Sequence, residues 1–249
     1  MTHVLSIEGA GKVFPQGRGG SVTALAQTSL DVRENEFLSI VGPSGCGKST
    51  LLRLMAGLER PSAGSINFRG QAVTRPSGRI GLVFQDYSLL PWRSILHNIE
   101  LGLEFQNLAA RQRRQRAVEH LDLVGLAQFK DAYPHQLSGG MRQRAAIARA
   151  LAVEPDVLLM DEPFGALDAH TRLLMQRELL ALWEKRRKTV VFVTHSIDEA
   201  VYLSDRVVVM EKDPGRVIEV LDVPLPRPRT RKDPDFGRLT ESILELLKY

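Results

Sequence analysis

The residues with the clearest chemical potential form one segment whose pattern is G-x-x-x-x-G-K-S. It consists of Gly42, Pro43, Ser44, Gly45, Cys46, Gly47, Lys48, Ser49 and Thr50. Glycines in such a turn let backbone N–H groups close around phosphate oxygens, and a helix that starts there adds a favourable dipole. Lys48 would contact the β- and γ-phosphates of a nucleotide, and Ser49 would place its hydroxyl on Mg²⁺. Because a strand-like run precedes the segment and a helical run follows it, we predict a phosphate-binding loop.

A pair of carboxylates follows a second apolar run, farther along the chain. Residues 157–160 are apolar and lead directly into Asp161 and Glu162. At the tip of a buried strand, Asp161 would bind Mg²⁺ directly or through water, and Glu162 could polarise the water that attacks the γ-phosphate. Two adjacent acidic residues are weak evidence alone, but in a chain with a phosphate-binding loop they predict a site of nucleotide hydrolysis.

Gln85 and His195 each follow a predicted strand, and strand ends are where open parallel sheets hold ligands. Gln85 ends the strand predicted at residues 79–84, where its amide could reach Mg²⁺ or an attacking water. Alone, such a glutamine is more often a structural polar residue. His195 follows the strand predicted at residues 189–193 and precedes a helix start, where a γ-phosphate could lie. Both are therefore candidate catalytic residues, with Lys48 and Glu162.

Two further features could contact a nucleotide, but their chemistry leaves alternatives open. Ser138, Gly139 and Gly140 combine a hydroxyl with exposed amides at a predicted helix start. That arrangement suits an anion, but it suits a simple helix cap as well. Phe14 lies upstream of the phosphate-binding loop and could stack on an adenine, or it could be a core or edge aromatic.

The composition is typical of a globular α/β protein. With 249 residues, 43% of them hydrophobic and 25% charged, the chain suits one large domain or a core with an inserted subdomain. A net charge of +4 does not require a nucleic-acid partner, and we expect none. The single cysteine, Cys46, favours a reducing compartment. Residues 1–11 lack a signal-peptide core, and no stretch approaches the roughly 18 apolar residues of a membrane span.

Helical periodicity separates one middle stretch from the rest of the chain. Strand character prevails on both sides of a helical stretch at about residues 86–153. We also predict a glycine-rich turn up to Gly20, a proline- and arginine-rich surface tail at residues 224–234, and a short amphipathic helix at residues 239–247. One dense basic cluster is interpreted as a solvated helix face, with acidic partners or lipid head groups as the alternative. It contains Arg111, Arg113, Arg114 and Arg116.

Together, these motifs resemble those of the nucleotide-binding subunit of an ATP-binding cassette (ABC) transporter. The resemblance covers essentially the whole chain, and five motifs occur in the order typical of the family. They are the Walker A segment at residues 42–50, the Q-loop Gln85, the signature Leu137-Ser138-Gly139-Gly140, the Walker B segment at residues 157–162 with the D-loop Asp168, and the switch His195. Phe14 matches the adenine-stacking aromatic of the family.

The resemblance implies an α/β fold of the P-loop NTPase type. A RecA-like core would carry an antiparallel β-subdomain and an inserted α-helical subdomain. On this basis we expect the core at about residues 1–85 and 154–222, the helical subdomain at 86–153, and a C-terminal tail at 223–249. The whole chain, residues 1–249, would form a single ATP-binding domain.

The resemblance also implies an ATPase that uses ATP and Mg²⁺ and works as a head-to-tail homodimer. The Ser138-Gly139-Gly140 helix start of one copy would close on ATP held by Lys48 of the other, with Asp168 also at the nucleotide. The implied Mg²⁺ ligands are Ser49, Gln85 and Asp161. ATP would then hold the dimer together, and hydrolysis would release it.

The implied partners are two transmembrane permease subunits and a periplasmic or extracellular solute-binding protein. The chain would lie on the cytoplasmic face of a bacterial inner membrane, coupled to the permease through Gln85 and the segment after it. Candidates for lining that contact groove are Tyr87, Leu89, Leu90 and Trp92. Met141, where most of the family has glutamine, and the run Leu90-Pro91-Trp92-Arg93 resemble the branch that imports nitrate, taurine and aliphatic sulfonates.

Other functions fit the motifs less well. The main alternative is a soluble ABC ATPase not coupled to transport, but such proteins usually carry two cassettes or a long coiled coil, and this chain has neither. A small-molecule kinase could use the same phosphate-binding loop, but it would not need Ser138-Gly139-Gly140, Asp168 or His195. A non-catalytic regulatory cassette is disfavoured by Glu162.

Overall fold

The computed structural model describes residues 3–17 and 20–247, and its backbone contacts divide them into two compact units. The first unit holds the described residues up to Ser77 and from Leu182 onward, and the second is Gly78–Ala181. The predicted turn up to Gly20 includes Arg18 and Gly19, which lie outside the described residues. The predicted division into core, helical subdomain and tail has different boundaries and stays a prediction.

One sheet of the first unit is antiparallel. Its strands are β1 (His3–Gln16), β2 (Gly20–Arg33), β4 (Ala63–Phe68) and β5 (Gln71–Ala72), in the order β2-β1-β4-β5. Leu30 and Val32 are buried while Asp31 between them is exposed, the alternation of a half-buried strand. β2 runs on to Arg33, because this alternation continues to its end.

The first unit also contains a mostly parallel set of strands. These are β3 (Phe37–Val41), β8 (Thr189–Thr194), β9 (Arg206–Glu211) and β10 (Arg216–Asp222). β3 lies between β8 and β9 and is parallel to both, and β10 runs antiparallel to β9. Every residue of β3 and β8 is buried, which explains why their sequences are mainly apolar and do not alternate with polar residues.

Among the described residues, three helices belong wholly to the first unit. They are α1 (Lys48–Met55), α6 (Ile197–Leu203) and α7 (Pro234–Leu247). α7 starts at Pro234, five positions before the predicted helix, since proline is well suited to the first turn of a helix. The prediction of a surface tail at residues 224–234 is wrong at Arg229, whose side chain is buried because it reaches the carbonyl groups at the end of α6.

The second unit combines two strands with helices. β6 (Ile80–Val83) and β7 (Val157–Asp161) pair in parallel, and α2 (Ile95–Leu103), α3 (Ala110–Leu123) and α4 (Gly139–Ala152) lie between them in sequence. α5 (Ala169–Arg186) begins in this unit. The stretch predicted to be helical therefore contains α2, α3 and α4. In the basic cluster, Arg111 and Arg114 are exposed, as expected of a solvated helix face.

Candidate nucleotide-binding site

The phosphate-binding loop leaves the carboxyl end of β3 and ends where α1 begins. Gly45 and Gly47 have φ angles of 83° and 91°, in the left-handed region that glycine enters without strain. The Lys48 side chain is only 5% exposed, and its Nζ donates to the carbonyl oxygens of Gly42 at 2.7 Å and Pro43 at 3.1 Å. The ammonium is thus held over the loop, where a phosphate bound at the start of α1 would meet it.

The main chain of Met210 and Ala24 packs closely against this loop. A Cβ at Gly42 would lie 2.5 Å from the carbonyl oxygen of Met210, and a Cβ at Gly47 would lie 2.5 Å from that of Ala24. Real side chains do not approach so closely, so the loop requires glycine at both positions. The G-x-x-x-x-G pattern therefore reflects tight packing as well as backbone conformation.

Gly215, which sequence reasoning did not connect with the site, also shapes the loop. It precedes β10, and a Cβ there would clash with the carbonyl oxygen of Cys46 and lie 2.7 Å from that of Ala24. Its own carbonyl oxygen accepts the Ala26 amide of β2 at 2.7 Å. Gly215 thus lets the β9–β10 turn lie against both β2 and the phosphate-binding loop. The only signal in the sequence was the glycine itself.

His195 lies at the same edge of the sheet as the phosphate-binding loop. In the parallel pairing of β3 with β8, Val41 is in register with Thr194, so that the next residues, Gly42 and His195, leave adjacent strand ends together. The histidine is exposed. One sheet edge of the first unit therefore carries both groups.

The turn that presents His195 is tied down on both sides. The Thr194 hydroxyl donates to Oε2 of Glu199 at 2.6 Å and accepts the Ser196 amide at 3.0 Å. Ser196 Oγ caps α6 by accepting the Glu199 amide at 3.3 Å. The Glu199 carboxylate thus binds Thr194, which joins the first turn of α6 to the end of β8.

Phe14 lies near the end of β1, opposite Val22 of β2, and is half-buried. The Lys12 ammonium lies 4.9 Å from the centre of its ring and also pairs with Glu59 at 2.8 Å. A cation therefore covers one face of the ring, and a base would have to stack on the other. The adenine-stacking role stays a prediction.

The second unit holds the predicted acidic pair. Asp161 is the last residue of β7, and Glu162 follows it with a φ of 43°, an uncommon conformation for a residue other than glycine. Both side chains are half-buried. β6 and β7 pair in parallel with Val83 in register with Met160, and Gln85 follows β6 as an exposed residue. The carboxyl ends of this strand pair therefore carry the amide and both carboxylates.

The signature segment is a helix cap in the second unit, one of the two interpretations that the sequence left open. Ser138 Oγ accepts the Met141 amide at 3.3 Å and so caps α4. A Cβ at Gly140 would lie 2.8 Å from Cγ2 of Thr171, close to the start of α5. This contact places the signature glycines against the D-loop segment. An additional anion-binding role for the segment stays a prediction.

Asp168 accepts the Thr171 amide at 3.0 Å and caps the first turn of α5. Hydrogen bonds from the hydroxyl and amide of Thr171 lower the pKa of the Asp168 carboxyl group, so it is ionised at neutral pH. The D-loop aspartate therefore has a structural partner on its own helix, whatever it contacts in addition.

The segment after Gln85 is held by Arg149, a half-buried residue of α4 that sequence reasoning missed. Tyr87 and Ser88 have φ angles of 56° and 47°, and the Arg149 guanidinium donates to their carbonyl oxygens at 2.8 and 2.5 Å. Burial lowers the pKa of Arg149. The Tyr87 ring lies 5.9 Å from the guanidinium of Arg142 on α4. The segment is thus attached to the helix that begins at the signature.

Asn98, also missed, fixes the continuation of that segment. The side chain is fully buried in α2, and its Oδ1 accepts the Leu90 amide at 2.7 Å. Its Nδ2 donates to the carbonyl oxygens of Leu90 at 3.1 Å and Arg93 at 3.0 Å. Between these two anchored residues, Trp92 is 71% exposed. The chain therefore presents a large aromatic on a rigid turn.

Comparison with known proteins identifies the family. A family model described as ABC transporter matches residues 25–165, more than half of the chain. The chain belongs to the ABC transporter family. The membership predicted from the motifs is thereby confirmed, and with it the assignment as an ATP-binding, ATP-hydrolysing cassette.

Relatives and solved structures agree with this assignment. The nitrate import ATP-binding protein NrtD of Synechococcus elongatus is 46% identical over 99% of this chain and 92% of its own length. The taurine import ATP-binding protein TauB of Rhizobium johnstonii is 46% identical over 98% and 96%, respectively. A solved dimeric ATP-binding cassette, in a post-hydrolysis state with ADP and Pi, has a TM-score of 0.78 and 35% identity, covering 88% of this chain and 98% of that one. The predicted P-loop NTPase fold is confirmed.

Within the part of the chain that the structure describes, no helix of this cassette has the length and hydropathy to cross a bilayer.

Proposed function

We propose that this ABC cassette powers an importer for a small oxyanion such as nitrate, taurine or an aliphatic sulfonate. Relatives named for nitrate and taurine import match it over nearly its full length, which supports this solute class. Met141 and the Leu90-Pro91-Trp92-Arg93 run also favour this branch. The observation that carries the ATPase chemistry is the register of Val41 with Thr194, which brings the phosphate-binding loop and His195 to one sheet edge.

Each candidate residue has a proposed task in hydrolysis. Lys48 contacts the β- and γ-phosphates, Glu162 accepts a proton from the attacking water, and His195 contacts the γ-phosphate. Phe14 stacks on the adenine with the ring face that Lys12 does not cover.

A bound Mg²⁺ would neutralise charge on the β- and γ-phosphates. Ser49, Gln85 and Asp161 would hold it. Their hydroxyl, amide and carboxylate oxygens are hard ligands, and Mg²⁺ is usually bound by one or two carboxylates together with water and phosphate oxygens. The donor chemistry of these residues therefore fits this ion.

The working form is proposed to be a head-to-tail homodimer. Ser138, Gly139 and Gly140 of one copy would close on ATP bound by the other, with Asp168 at the same nucleotide. The exposed hydroxyl of Ser138 at the start of α4 suits a phosphate group. The dimeric state of a solved cassette that is 35% identical to this chain supports the arrangement.

Two permease subunits are the proposed membrane partners, with a solute-binding protein on the other side of the membrane. The cassette would lie on the cytoplasmic face, and the turn after Gln85 would receive the permease. The exposed Trp92, on a turn that Asn98 holds from within, is the kind of anchored aromatic that interfaces favour.

The hydrolytic proposal is tested by Glu162→Gln. ATP binding should stay within a few-fold of wild type, while the hydrolysis rate falls about 10²- to 10⁴-fold, because a glutamine cannot accept the proton. The variant should also form an ATP-dependent dimer in size-exclusion chromatography. Glu245→Gln, at an exposed carboxylate of α7, is the matched control and should hydrolyse ATP normally. Rapid turnover by Glu162→Gln would remove this residue from its proposed role.

The transport proposal is tested by purifying the tagged full chain from its source cells in mild detergent. Mass spectrometry should identify a multi-span membrane protein among the co-purified proteins. Recovery of soluble partners alone would contradict the importer and favour the uncoupled ATPase. The ligand of a solute-binding protein encoded beside that permease would then name the solute.

A further inference from the structure

Three arginines of the C-terminal tail hold α6 through hydrogen bonds and an ion pair. Arg227, Arg229 and Arg231, here called the arginine clasp, alternate along the segment between β10 and α7. All three side chains reach α6 or the residues that flank it. The proline- and arginine-rich composition of the tail thus has a definite structural use.

Arg229 and Arg227 hold the C-terminal end of α6. Arg229 is 8% exposed, and its Nη1 donates to the carbonyl oxygens of Val201 and Ser204, both at 2.6 Å. Nη2 of Arg227 donates to that of Leu203 at 2.6 Å. The last carbonyl groups of a helix lack intrahelical partners and attract cations. Burial lowers the pKa of Arg229 to about 10, which leaves it charged at neutral pH.

Arg231 holds the opposite end of the same helix. Its Nε lies 2.8 Å from both carboxylate oxygens of Asp198, and its Nη2 lies 2.7 Å from Oδ2. The guanidinium also lies 4.3 Å from the centre of the Tyr202 ring. Asp198 belongs to the first turn of α6, three residues after His195. The clasp therefore reaches the first turn of α6, three residues from the histidine.

α6 has only seven residues, too few for a helix to be stable by itself in water. The bonds among Thr194, Ser196 and Glu199 connect it directly to the turn that carries His195. A displacement of α6 would consequently move the exposed imidazole of His195.

We propose that the arginine clasp positions His195 for ATP hydrolysis by holding α6 at both ends. The inference rests on the proposed role of His195 at the γ-phosphate. The three arginines are positioning residues, since they act through α6 and none of them belongs to the phosphate-binding loop.

The test compares ATP hydrolysis by the full chain for Arg231→Gln, Asp198→Asn and the double variant, each with and without His195→Ala. Arg231→Gln and Asp198→Asn should each lower kcat about three- to tenfold, with KM for ATP unchanged within twofold, because small displacements of a catalytic group reduce the rate of chemistry more than binding. The double variant should lose no more than either single one. In the His195→Ala background, none should cause a further loss.

Two further variants separate positioning from general stability. Arg229→Lys keeps the positive charge but lacks the planar guanidinium that donates to several carbonyl groups at once. The kcat of this variant should therefore fall too. Arg238→Gln, which removes an exposed arginine of α7 paired with Asp235, is the matched control and should leave kcat unchanged. Thermal unfolding of each variant shows that it is folded at the assay temperature, and Arg231→Gln carries the test if Arg229→Lys does not fold.

The outcomes distinguish this inference from the proposed function. Slow hydrolysis by His195→Ala with normal kcat in Arg231→Gln and Asp198→Asn would overturn the clasp and leave the role of His195 intact. Equal fractional losses with and without His195 would also overturn it, since the clasp would then not act through the histidine. Normal hydrolysis by His195→Ala would instead contradict the role of His195 itself, and the clasp with it.

Discussion

Replacing Gly215 with alanine should weaken ATP binding, although this residue lies far from the phosphate-binding loop in sequence. The added Cβ would lie 2.7 Å from the carbonyl oxygen of Ala24 and closer still to that of Cys46. Real Cβ atoms do not come within 3.0 Å of such atoms, and both neighbours are backbone. Relief therefore requires the main chain of β2 or of the loop itself to move.

The size of the effect follows from the cost of overpacking. Forcing an extra methyl group into a closely packed site typically costs about 1–3 kcal/mol. If the loop moves to accommodate the methyl group, ATP must restore the original geometry in order to bind. The same cost then appears as an affinity about 5- to 150-fold weaker.

Isothermal titration of the full chain with ATP and Mg²⁺ measures this affinity. Gly237→Ala is the control, because nothing lies within 4 Å of an added Cβ in α7, where alanine is also the better helix former. We expect Gly237→Ala to bind ATP as wild type does. An affinity of Gly215→Ala within twofold of wild type would refute the conclusion that this close contact shapes the loop.

Three further substitutions test other parts of the cassette. Lys48→Ala should weaken ATP binding at least tenfold, because it removes the ammonium held over the loop. Unchanged ATP affinity in the same titration would contradict the loop assignment. Phe14→Ala should weaken ATP binding by about 1–3 kcal/mol, because the stacking on the base is lost. The affinity for inorganic triphosphate, which has no base, should stay unaltered. Equal losses of affinity for both ligands would exclude stacking. Asn98→Ala should lower the free energy of unfolding, measured by urea titration, by about 1–3 kcal/mol, because buried backbone groups lose their hydrogen-bond partners. The turn after Leu90 should also become accessible to proteases. A normal protease pattern would show that Asn98 does not hold the turn.

The motifs and most elements could be predicted because their signals are local. Glycines, a lysine and hydroxyl residues at fixed spacing, between a strand-like and a helical run, define the phosphate-binding loop wherever it occurs. The same holds for Asp161 and His195, each of which follows a short, mainly apolar run typical of a buried strand. Errors arose at ends of elements, such as the start of α7 at Pro234, where the periodicity is weakest.

The supports of the site were not predictable, because they depend on residues that are distant in sequence. Arg149 is recognisable as an anchor only once its guanidinium meets the carbonyl groups of Tyr87 and Ser88, and Asn98 only once it meets Leu90. An arginine or asparagine within a helix carries no mark of such a partner. Burial of a polar side chain becomes visible only after the helices have packed.

The sequence by itself determined which chemical groups this ABC cassette possesses and that they follow strand ends, since strand periodicity and loop chemistry are encoded by neighbouring residues. Only the tertiary structure decided which strand ends share an edge, through the register of Val41 with Thr194. It also decided that Gly215 presses on the loop and that the arginine clasp holds α6. These are contacts between segments far apart in the chain, and their geometry exists only when the sheets and helices have come together.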